Sequence, residues 1–436
     1  MFRLFIIIVQ LILLIIITLF VINYSFNISI EISDYIFSIS SAYAFIFLIL
    51  FLLIFFIFQT IYFRTKFRYL KYKIIKKFNT KERGYNAFVS GMISIANKDY
   101  KRAVKETKKM STYLKDDQSL TLLLKSEIFK IEKKYPALEK VYKEMSKSKL
   151  TENLGLRGMM EQYLRAQDYH HAYIYGEKLF NNNPHVEKIY ETLINIIAKT
   201  NNWTQLLQIS DKALSNNIIN KEHYNINKSI AFFEISKIKK SGDVKDSLNY
   251  IQKALKLRKN FPPYVILYVE LLIEEKKYNV AKKYLKKVWN ENPHSEYKLI
   301  ITKLAESLNI EIYNLANFIT SSNKDLEESK MLMIEASILT SKWEEARREI
   351  RELIDVDPKK EVCLLMAKIE EGDTGNIQAV NAWKNRAKNG VEKNIWICSI
   401  SNKAQTEWSS ISEGGYFNSL TWQKPIIINP LESIEN

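Results

Sequence analysis

The chain has little of the material from which tight turns and covalent crosslinks are made. Its 436 residues include 11 glycines, 8 prolines and 2 cysteines. So few glycines and prolines argue against the turn-dense connections of a β-sandwich or barrel, whereas Lys, Glu, Leu, Ile and Ala are plentiful at helical spacing. Cys363 and Cys398 lie in different segments, which argues against a disulfide framework and favours a reducing compartment. The composition predicts an all-α protein.

The motifs of common catalytic and metal sites are also missing. No GxGxxG, Walker A, HExxH or GxSxG pattern occurs, which removes the usual nucleotide, zinc-protease and hydrolase chemistries. Of the five histidines, His170 and His171 are adjacent and point about 100° apart on a helix, so they cannot share a metal. His185 and His294 each follow a proline and are predicted to be exposed turn residues, and His223 belongs to no motif. We expect no catalytic residues and no metal site, while haem ligation by one histidine stays open.

Charge is absent from two long runs near the N-terminus, residues 4–22 and 42–63. Each run has the roughly 20 residues that a helix needs to cross a hydrocarbon core. A cleaved signal peptide is the alternative for the first run, but its apolar stretch is long and no Ala-x-Ala site follows. The pattern predicts a two-helix transmembrane hairpin over residues 1–63.

The charges around these runs predict the orientation. Residues 23–40 contain Glu31 and Asp34 but no Lys or Arg, and alternating isoleucines there indicate a short extended piece. Residues 64–83 form a basic juxtamembrane helix with one acidic residue, Glu82, and nine cations. The positive-inside rule therefore places both termini in the cytoplasm. We expect this helix to bind anionic membrane lipids, at about 1 kcal/mol per cation, and not nucleic acid, because no reader motif is present.

A repeat of 34 residues, the length of a tetratricopeptide (TPR) unit, begins after residue 84. Its turns are polar pairs such as Gln167-Asp168 and Gly242-Asp243, and Pro184, Pro293 and Pro358 each follow an anchor by 12 positions. The anchors of the second helices are Ala103, Ala137, Ala172, Leu206, Ser247, Ala281 and Ala346. The spacing predicts a TPR-like α-solenoid superhelix over residues 84–390, and an ordinary non-repeating helical domain is the alternative. A superhelix of this kind has a concave groove that typically binds proteins, but the fold alone does not identify the partner.

Residues 391–436 combine three tryptophans with short polar residues. A zinc ribbon needs two CxxC knuckles, but Cys398 is followed at +3 by Ser401, and no thiol stands near Ser412 and Gly415. We expect no metal and predict that Trp396, Trp408 and Trp422 pack this segment onto the last helices as an aromatic cap.

Several segments together resemble the HemY proteins of proteobacterial haem-biosynthesis operons. They are FVSGMISIANKDYKRAVK, TENLGLRGMMEQYLRAQDYHHA, NPHSEYKLI and VCLLMAKIEEGD, in that order behind a two-span N-terminus. The resemblance implies a multi-pass inner-membrane protein with a cytoplasmic solenoid. It implies a non-catalytic scaffold in late protohaem synthesis that binds or organises enzymes such as ferrochelatase or protoporphyrinogen oxidase, or haem and porphyrin. This family is distinct from the flavin-dependent oxidases that share its name.

The same resemblance bears on the C-terminal segment. Related proteins often carry a rubredoxin-type tail with four thiols, of which this chain keeps Cys398 alone. The tail is therefore a degenerate rubredoxin-like one. The missing thiols argue against a zinc or iron role, whereas the retained aromatic residues keep the packing role. An envelope assembly adaptor similar to lipopolysaccharide assembly protein B is the alternative function, against which two spans rather than one argue.

Overall fold

The structure, a computed structural model, describes residues 15–20, 22–24, 27–32, 35–115, 118–186, 188–354 and 359–425, together with residues 8 and 12. Of the predicted first span, residues 15–20 are helical, and much of the rest lies outside the described residues. The chain divides into two compact units, residues 1–132 and 133–436. Each unit is described by itself.

From residue 27 on, the described residues of the first unit form a β-hairpin and three helices. Strands β1 (Asn27–Ile32) and β2 (Tyr35–Ser40) pair antiparallel, with Asn27 opposite Ser40. The alternating isoleucines are thus extended, as predicted, but the second strand was not anticipated. The helices are α1 (Ser41–Ala96), α2 (Tyr100–Tyr113) and α3 (Ser119–Ile131).

Helix α1 is 56 residues long and joins three predicted segments without a break. Its apolar part has a mean hydropathy of 2.9 over 18 residues and no buried residue, so by length and composition it is able to cross a membrane. The basic segment 64–83 continues the helix. Residues 84–96 then pack on α2 and α3, where a Cβ at Gly91 would lie 2.6 Å from the Leu124 side chain. Only a residue as small as Gly91 permits this approach.

The second unit consists mainly of antiparallel helix pairs. We call the helix that comes earlier in the sequence the first helix of its pair and the other the second helix. Helix α4 (Tyr135–Met145) precedes the pairs. The first helices are α5 (Glu152–Arg165), α7 (Ile189–Lys199), α9 (Lys221–Lys240), α11 (Pro262–Glu274), α13 (Tyr297–Leu308), α15 (Glu327–Leu339) and α17 (Lys360–Asp373). The second helices are α6 (Tyr169–Asn182), α8 (Trp203–Ser215), α10 (Val244–Leu257), α12 (Tyr278–Glu291), α14 (Ile312–Thr320), α16 (Trp343–Arg351) and α18 (Ile377–Ala387).

The turns inside the helix pairs, apart from that of α9–α10, repeat one backbone feature. A residue with positive φ ends the first helix, and five positions later most second helices place a fully buried anchor against their partner. The positive-φ residues are Lys98, Gln167, Asn201, Lys276, Asn309, Ser341 and Gly375. Anchors at five positions beyond, with no exposed surface, are Ala103, Ala172, Leu206, Ala281 and Ala346. A turn and a small anchor that recur together make the chain TPR-like.

The structure corrects the predicted repeat at several points. Ala137 is only half-buried, and its neighbour Leu138 is the buried anchor, because the preceding left-handed turn at Lys133 shifts the register by one residue. The spacing from Leu206 to Ser247 is longer than the repeat length of 34 residues, and the extra residues lengthen α9 to 20 residues without adding a new element. The α13–α14 pair, anchored by the buried Leu315, was missed because no proline follows it at +12.

Two glycines of the GLRGMM segment are positions of close helix contact. A Cβ on Gly155 would lie 2.5 Å from the backbone nitrogen of Ser146, and one on Gly158 would lie 2.5 Å from the Tyr142 ring. Because the Gly155 contact is with backbone, it has no side chain that could move aside. The segment is therefore specific for packing between α4 and α5.

Residues 391–425, here the C-terminal tail, form a small sheet after α18. Its strands β3 (Ile395–Cys398), β4 (Ala404–Gln405) and β5 (Leu420–Gln423) are antiparallel in the order β4-β3-β5. Trp396, Cys398, Trp408 and Leu420 are buried in the main core of the second unit. The tail is thus part of the folded helical unit.

Candidate functional site

The C-terminal tail lies across the first helices α7, α9, α11 and α13. We call the surface that holds it the docking face, defined by Asn195, Phe233, Phe261, Tyr264 and Glu296. These residues stand on or at the start of four successive first helices. The prediction of a cap on the last helices is therefore wrong in position, since the tail folds back to residues about 100 positions earlier.

Aromatic rings make most of this contact. Trp408 meets Phe261 and Phe233 edge-on, with ring centroids 5.1 and 5.6 Å apart, and it lies 6.1 Å from Tyr264. Trp396 meets Phe261 at 6.0 Å. Both tryptophans are more than nine-tenths buried. Edge-to-face pairs of this kind are worth about 0.5–1.5 kcal/mol each beyond the area they bury, so they supply much of the docking energy.

Two polar contacts fix the register of the tail. The backbone N–H of Phe417 donates to Asn195 Oδ1 at 3.0 Å, and Trp396 Nε1 donates to Glu296 Oε1. The two contacts hold opposite ends of the tail sheet to α7 and α13. A buried N–H left without an acceptor costs about 1–3 kcal/mol, so these partners discriminate against a shifted position.

His294 and Glu296 form a buried polar pair beneath the tail. Burial lowers the pKa of His294 to about 4, and burial, opposed by the Trp396 hydrogen bond, raises the pKa of Glu296. His294 Nδ1 accepts the Glu296 backbone N–H at 3.3 Å, and its ring lies 4.7 Å from Trp422. The prediction that His294 is an exposed turn residue is therefore wrong, because the tail covers it.

The other histidines lie apart from this pair. His170, His171, His185 and His223 are exposed, as was predicted for His185. His171 Nδ1 lies 2.7 Å from Asp168 Oδ2 and stacks on a tyrosine of α5. Within the described part of the chain no three His, Cys, Asp or Glu side chains converge to hold a metal ion.

The two turns that would be metal knuckles face each other inside the tail. Cys398 Sγ lies 3.2 Å from Ser419 Oγ and 3.5 Å from Ser412 Oγ, and it accepts the backbone N–H of Ser401 at 3.4 Å. Burial acts to raise the Cys398 pKa, but the surrounding hydrogen bonds outweigh it and lower the pKa to about 6. Serine hydroxyls thus occupy the space around the sulfur, which gives the tail a polar core. Both cysteines of the chain are free and buried.

Ion pairs join the first helices beside the docking face. Lys240 of α9 contacts Glu270 and Glu274 of α11 at 2.9 and 3.0 Å, and Lys303 of α13 contacts Glu270 at 2.8 Å. Burial acts to raise the Glu270 pKa, and the two lysines outweigh it and lower that pKa. The network holds three first helices side by side.

Comparison with known proteins finds folds and no family. No family model matches, and no curated protein matches. A structure titled Naa15/Naa10 bound to HypK-THB is 13% identical with a TM-score of 0.41, over 72% of this chain and 56% of that one. The TPR2AB domain of yeast Sti1 in a pHSP90 complex is 10% identical with a TM-score of 0.30, over 71% and 99% of the chains.

A tetratricopeptide repeat protein from Parabacteroides merdae is 14% identical with a TM-score of 0.27, over 54% of this chain and 99% of that one. All three scores are below 0.5, so the TPR-like description depends on this chain's own helix pairs and not on these similarities. The chain spans just over half the length of the Naa15/Naa10 chain.

Proposed function

We propose that this chain is a non-catalytic scaffold that holds other proteins at a membrane through the first helices of its repeat that the tail leaves uncovered. One observation carries the proposal: the docking face already binds a polypeptide, the C-terminal tail, through aromatic pockets and a backbone hydrogen bond. A concave surface of stacked first helices is the usual binding surface of helical repeats. The first helices of this fold therefore bind an extended polypeptide, and the first helices beyond the docking face are proposed to bind a segment of another protein in the same way.

Further first helices offer free surface for such a partner. Leu299 of α13 exposes 76% of its surface and Leu364 of α17 exposes 40%. The tail leaves both side chains uncovered. Exposed leucines between charged side chains are typical of a protein-binding site.

The pathway and the partners in the proposal come from the HemY resemblance. On that ground the partners are enzymes of late protohaem biosynthesis, ferrochelatase or protoporphyrinogen oxidase. Catalysis is left out of the proposal because the sequence carries no catalytic motif. The alternative, an envelope assembly adaptor similar to lipopolysaccharide assembly protein B, has the same kind of groove and predicts other partners.

The location is also part of the proposal. Residues 42–63 of α1 cross the inner membrane, residues 23–40 lie outside, and the basic segment 64–83 faces the cytoplasm, where its cations next to the membrane bind anionic lipid. Support comes from the exposed apolar helix and from the one-sided distribution of Lys and Arg. In intact cells an impermeant maleimide should label Ser29→Cys and not Thr80→Cys, and the reverse pattern would refute this orientation.

Photocrosslinking tests the binding partner. A benzophenone amino acid at Leu299 in the full-length chain, expressed in its native membrane, should yield adducts with ferrochelatase or protoporphyrinogen oxidase. The matched control is Val280, which is 51% exposed on the second helix α12 and should give none. Adducts confined to lipopolysaccharide assembly proteins would support the alternative, and equal adducts at both positions would contradict a binding role for the first helices.

A further inference from the structure

An exposed apolar stripe runs along α1 beyond its membrane-spanning part. Its members follow one another at steps of three or four residues, about 3.6 on average, which keeps them on one side of an α-helix. Each exposes between 39% and 70% of its surface, and Lys81 fills the single gap in the series. The stripe consists of Phe67, Leu70, Ile74, Phe78, Tyr85, Val89 and Met92.

Distance separates most of this stripe from the membrane. If the hydrocarbon core ends at Phe63, a rise of 1.5 Å per residue carries Phe78 about 22 Å beyond it along the helix axis. The headgroup layer on each side is only about 5–8 Å thick. Because α1 is continuous from Ser41 to Ala96, the stripe leaves the bilayer with the helix. Lipid therefore does not cover Ile74, Phe78 and the residues after them.

The packed helices of the first unit leave the stripe uncovered as well. Residues 84–96 turn Gly84, Ala87, Gly91 and Ser94 toward α2 and α3, and these four are the buried ones. Tyr85 and its successors in the stripe point to another side of α1. Each side chain of the stripe thus keeps at least 39% of its surface exposed within this unit.

Basic residues border the first part of the stripe, from Phe67 to Phe78, on both edges. Lys66 and Lys77 lie along one edge and Lys71 along the other, as their positions on a helical wheel require. In the described residues none of the three forms an ion pair. Two copies of α1 packed along this stripe, at the usual 8–10 Å between helix axes, would bring these like charges within about one Debye length. Charge therefore opposes a second copy and favours an acidic partner.

We propose that this stripe is the docking surface for an amphipathic helix whose apolar face is bordered by Glu or Asp, carried by a partner protein of the same membrane. Apolar contact along the stripe supplies the affinity, and the lysines at its edges select the partner and its register. The inference rests on the proposed membrane crossing by residues 42–63. It assigns a partner surface separate from the docking face.

A designed peptide tests the proposal on the full-length chain in lipid nanodiscs. The peptide is a 26-residue helix with leucines at the stripe spacing and glutamates along both edges, and its matched control carries lysines at the edges. We expect the acidic peptide to bind at least tenfold more tightly than the basic one. The variant Ile74→Ser/Phe78→Ser should weaken binding at least tenfold, whereas Tyr72→Ser/Ile75→Ser, exposed on other sides of the helix, should change it less than twofold.

Three results would overturn the proposal. Equal binding of the two peptides would remove the charge selection. Sedimentation of the chain as a dimer that becomes monomeric with Ile74→Ser/Phe78→Ser would assign the stripe to a second copy. Lipid-like oxygen accessibility of a nitroxide on Ile74→Cys would assign it to the bilayer. Repeating the binding assay in detergent separates this proposal from the proposed membrane crossing, because peptide binding in detergent does not require a crossing. The maleimide labelling described above tests the crossing independently.

Discussion

Replacing Trp396 and Trp408 in turn by phenylalanine should have opposite consequences for the docked tail. Both side chains belong to the C-terminal tail, both are buried, and both pack on Phe261. Their indole N–H groups differ, because Trp396 Nε1 donates to Glu296 Oε1, whereas Trp408 Nε1 is buried with no partner among the described residues. The same chemical change therefore removes a hydrogen bond at one position and an unsatisfied donor at the other.

The magnitudes follow from these environments. Trp396→Phe loses a hydrogen bond to a carboxylate, worth about 1.5–3 kcal/mol, and leaves Glu296 with both oxygens unpaired in a buried site. The smaller ring costs about 1 kcal/mol more at either position. At Trp408 this loss is offset by removal of a buried unpaired donor, worth about 1–3 kcal/mol. We expect Trp396→Phe to destabilise the docked tail by about 3 kcal/mol and Trp408→Phe to leave it unchanged or more stable by about 1 kcal/mol.

Hydrogen exchange of the amides in β3 and β5 measures this difference in the full-length chain, since it reports opening of the tail without global unfolding. Trp408→Ala is the control that keeps the relief of the unpaired donor but deletes the ring, and it should destabilise the tail by about 2–4 kcal/mol. Equal effects of the two phenylalanine variants, or a larger loss at Trp408, would refute the assignment of the hydrogen bond to Trp396.

Three further expectations concern packing, the repeat turns and pH. Gly155→Ala should lower the melting temperature strongly, by a clash that costs about 3 kcal/mol, while Gly242→Ala, whose Cβ would meet nothing closer than 4.0 Å, should leave it nearly unchanged. Lys276→Gly should stabilise the second unit by about 0.5–1 kcal/mol in urea titrations, because its φ of 57° is costly for a side-chain-bearing residue; a loss of stability would contradict this. Because burial lowers the His294 pKa from 6.5 to about 4 and the tail supplies part of that burial, the tail should loosen as pH falls from about 6.5 to 4, by less than about 3 kcal/mol, and His294→Gln should remove that slope in hydrogen exchange. Glu296, with its raised pKa, opposes this slope, so a tail that tightens on acidification would show that Glu296 dominates.

The sequence pattern predicts the repeat well because its causes are local. A polar turn, a small anchor and a terminating proline all act within a few residues, and α6 and α12 do end just before Pro184 and Pro293. Where one of these signals is missing the prediction fails, as at Leu315, whose pair ends without a proline. At that pair the repeat is visible only in the structure, where Leu315 is the buried anchor.

The candidate site was less predictable, because it depends on contacts between distant residues. Nothing near His294 in the sequence indicates that Trp422 will cover it, and nothing near Trp396 names Glu296 as its acceptor. The aromatic residues showed that the tail packs, which the structure bears out. The surface on which it packs is chosen by the shape and the polar groups of four helices together.

The unbroken helix α1 also sets a rotational register. Each residue added to a helix turns everything beyond it by about 100° and moves it by about 1.5 Å. A single insertion in residues 64–83 would therefore rotate α2 and α3 around the axis of the membrane-crossing part, whereas seven inserted residues would return them to within about 20° of their original direction. The length of the juxtamembrane segment therefore determines the direction in which α2 and α3 point. Natural variation in that length should favour insertions or deletions of seven residues over single ones.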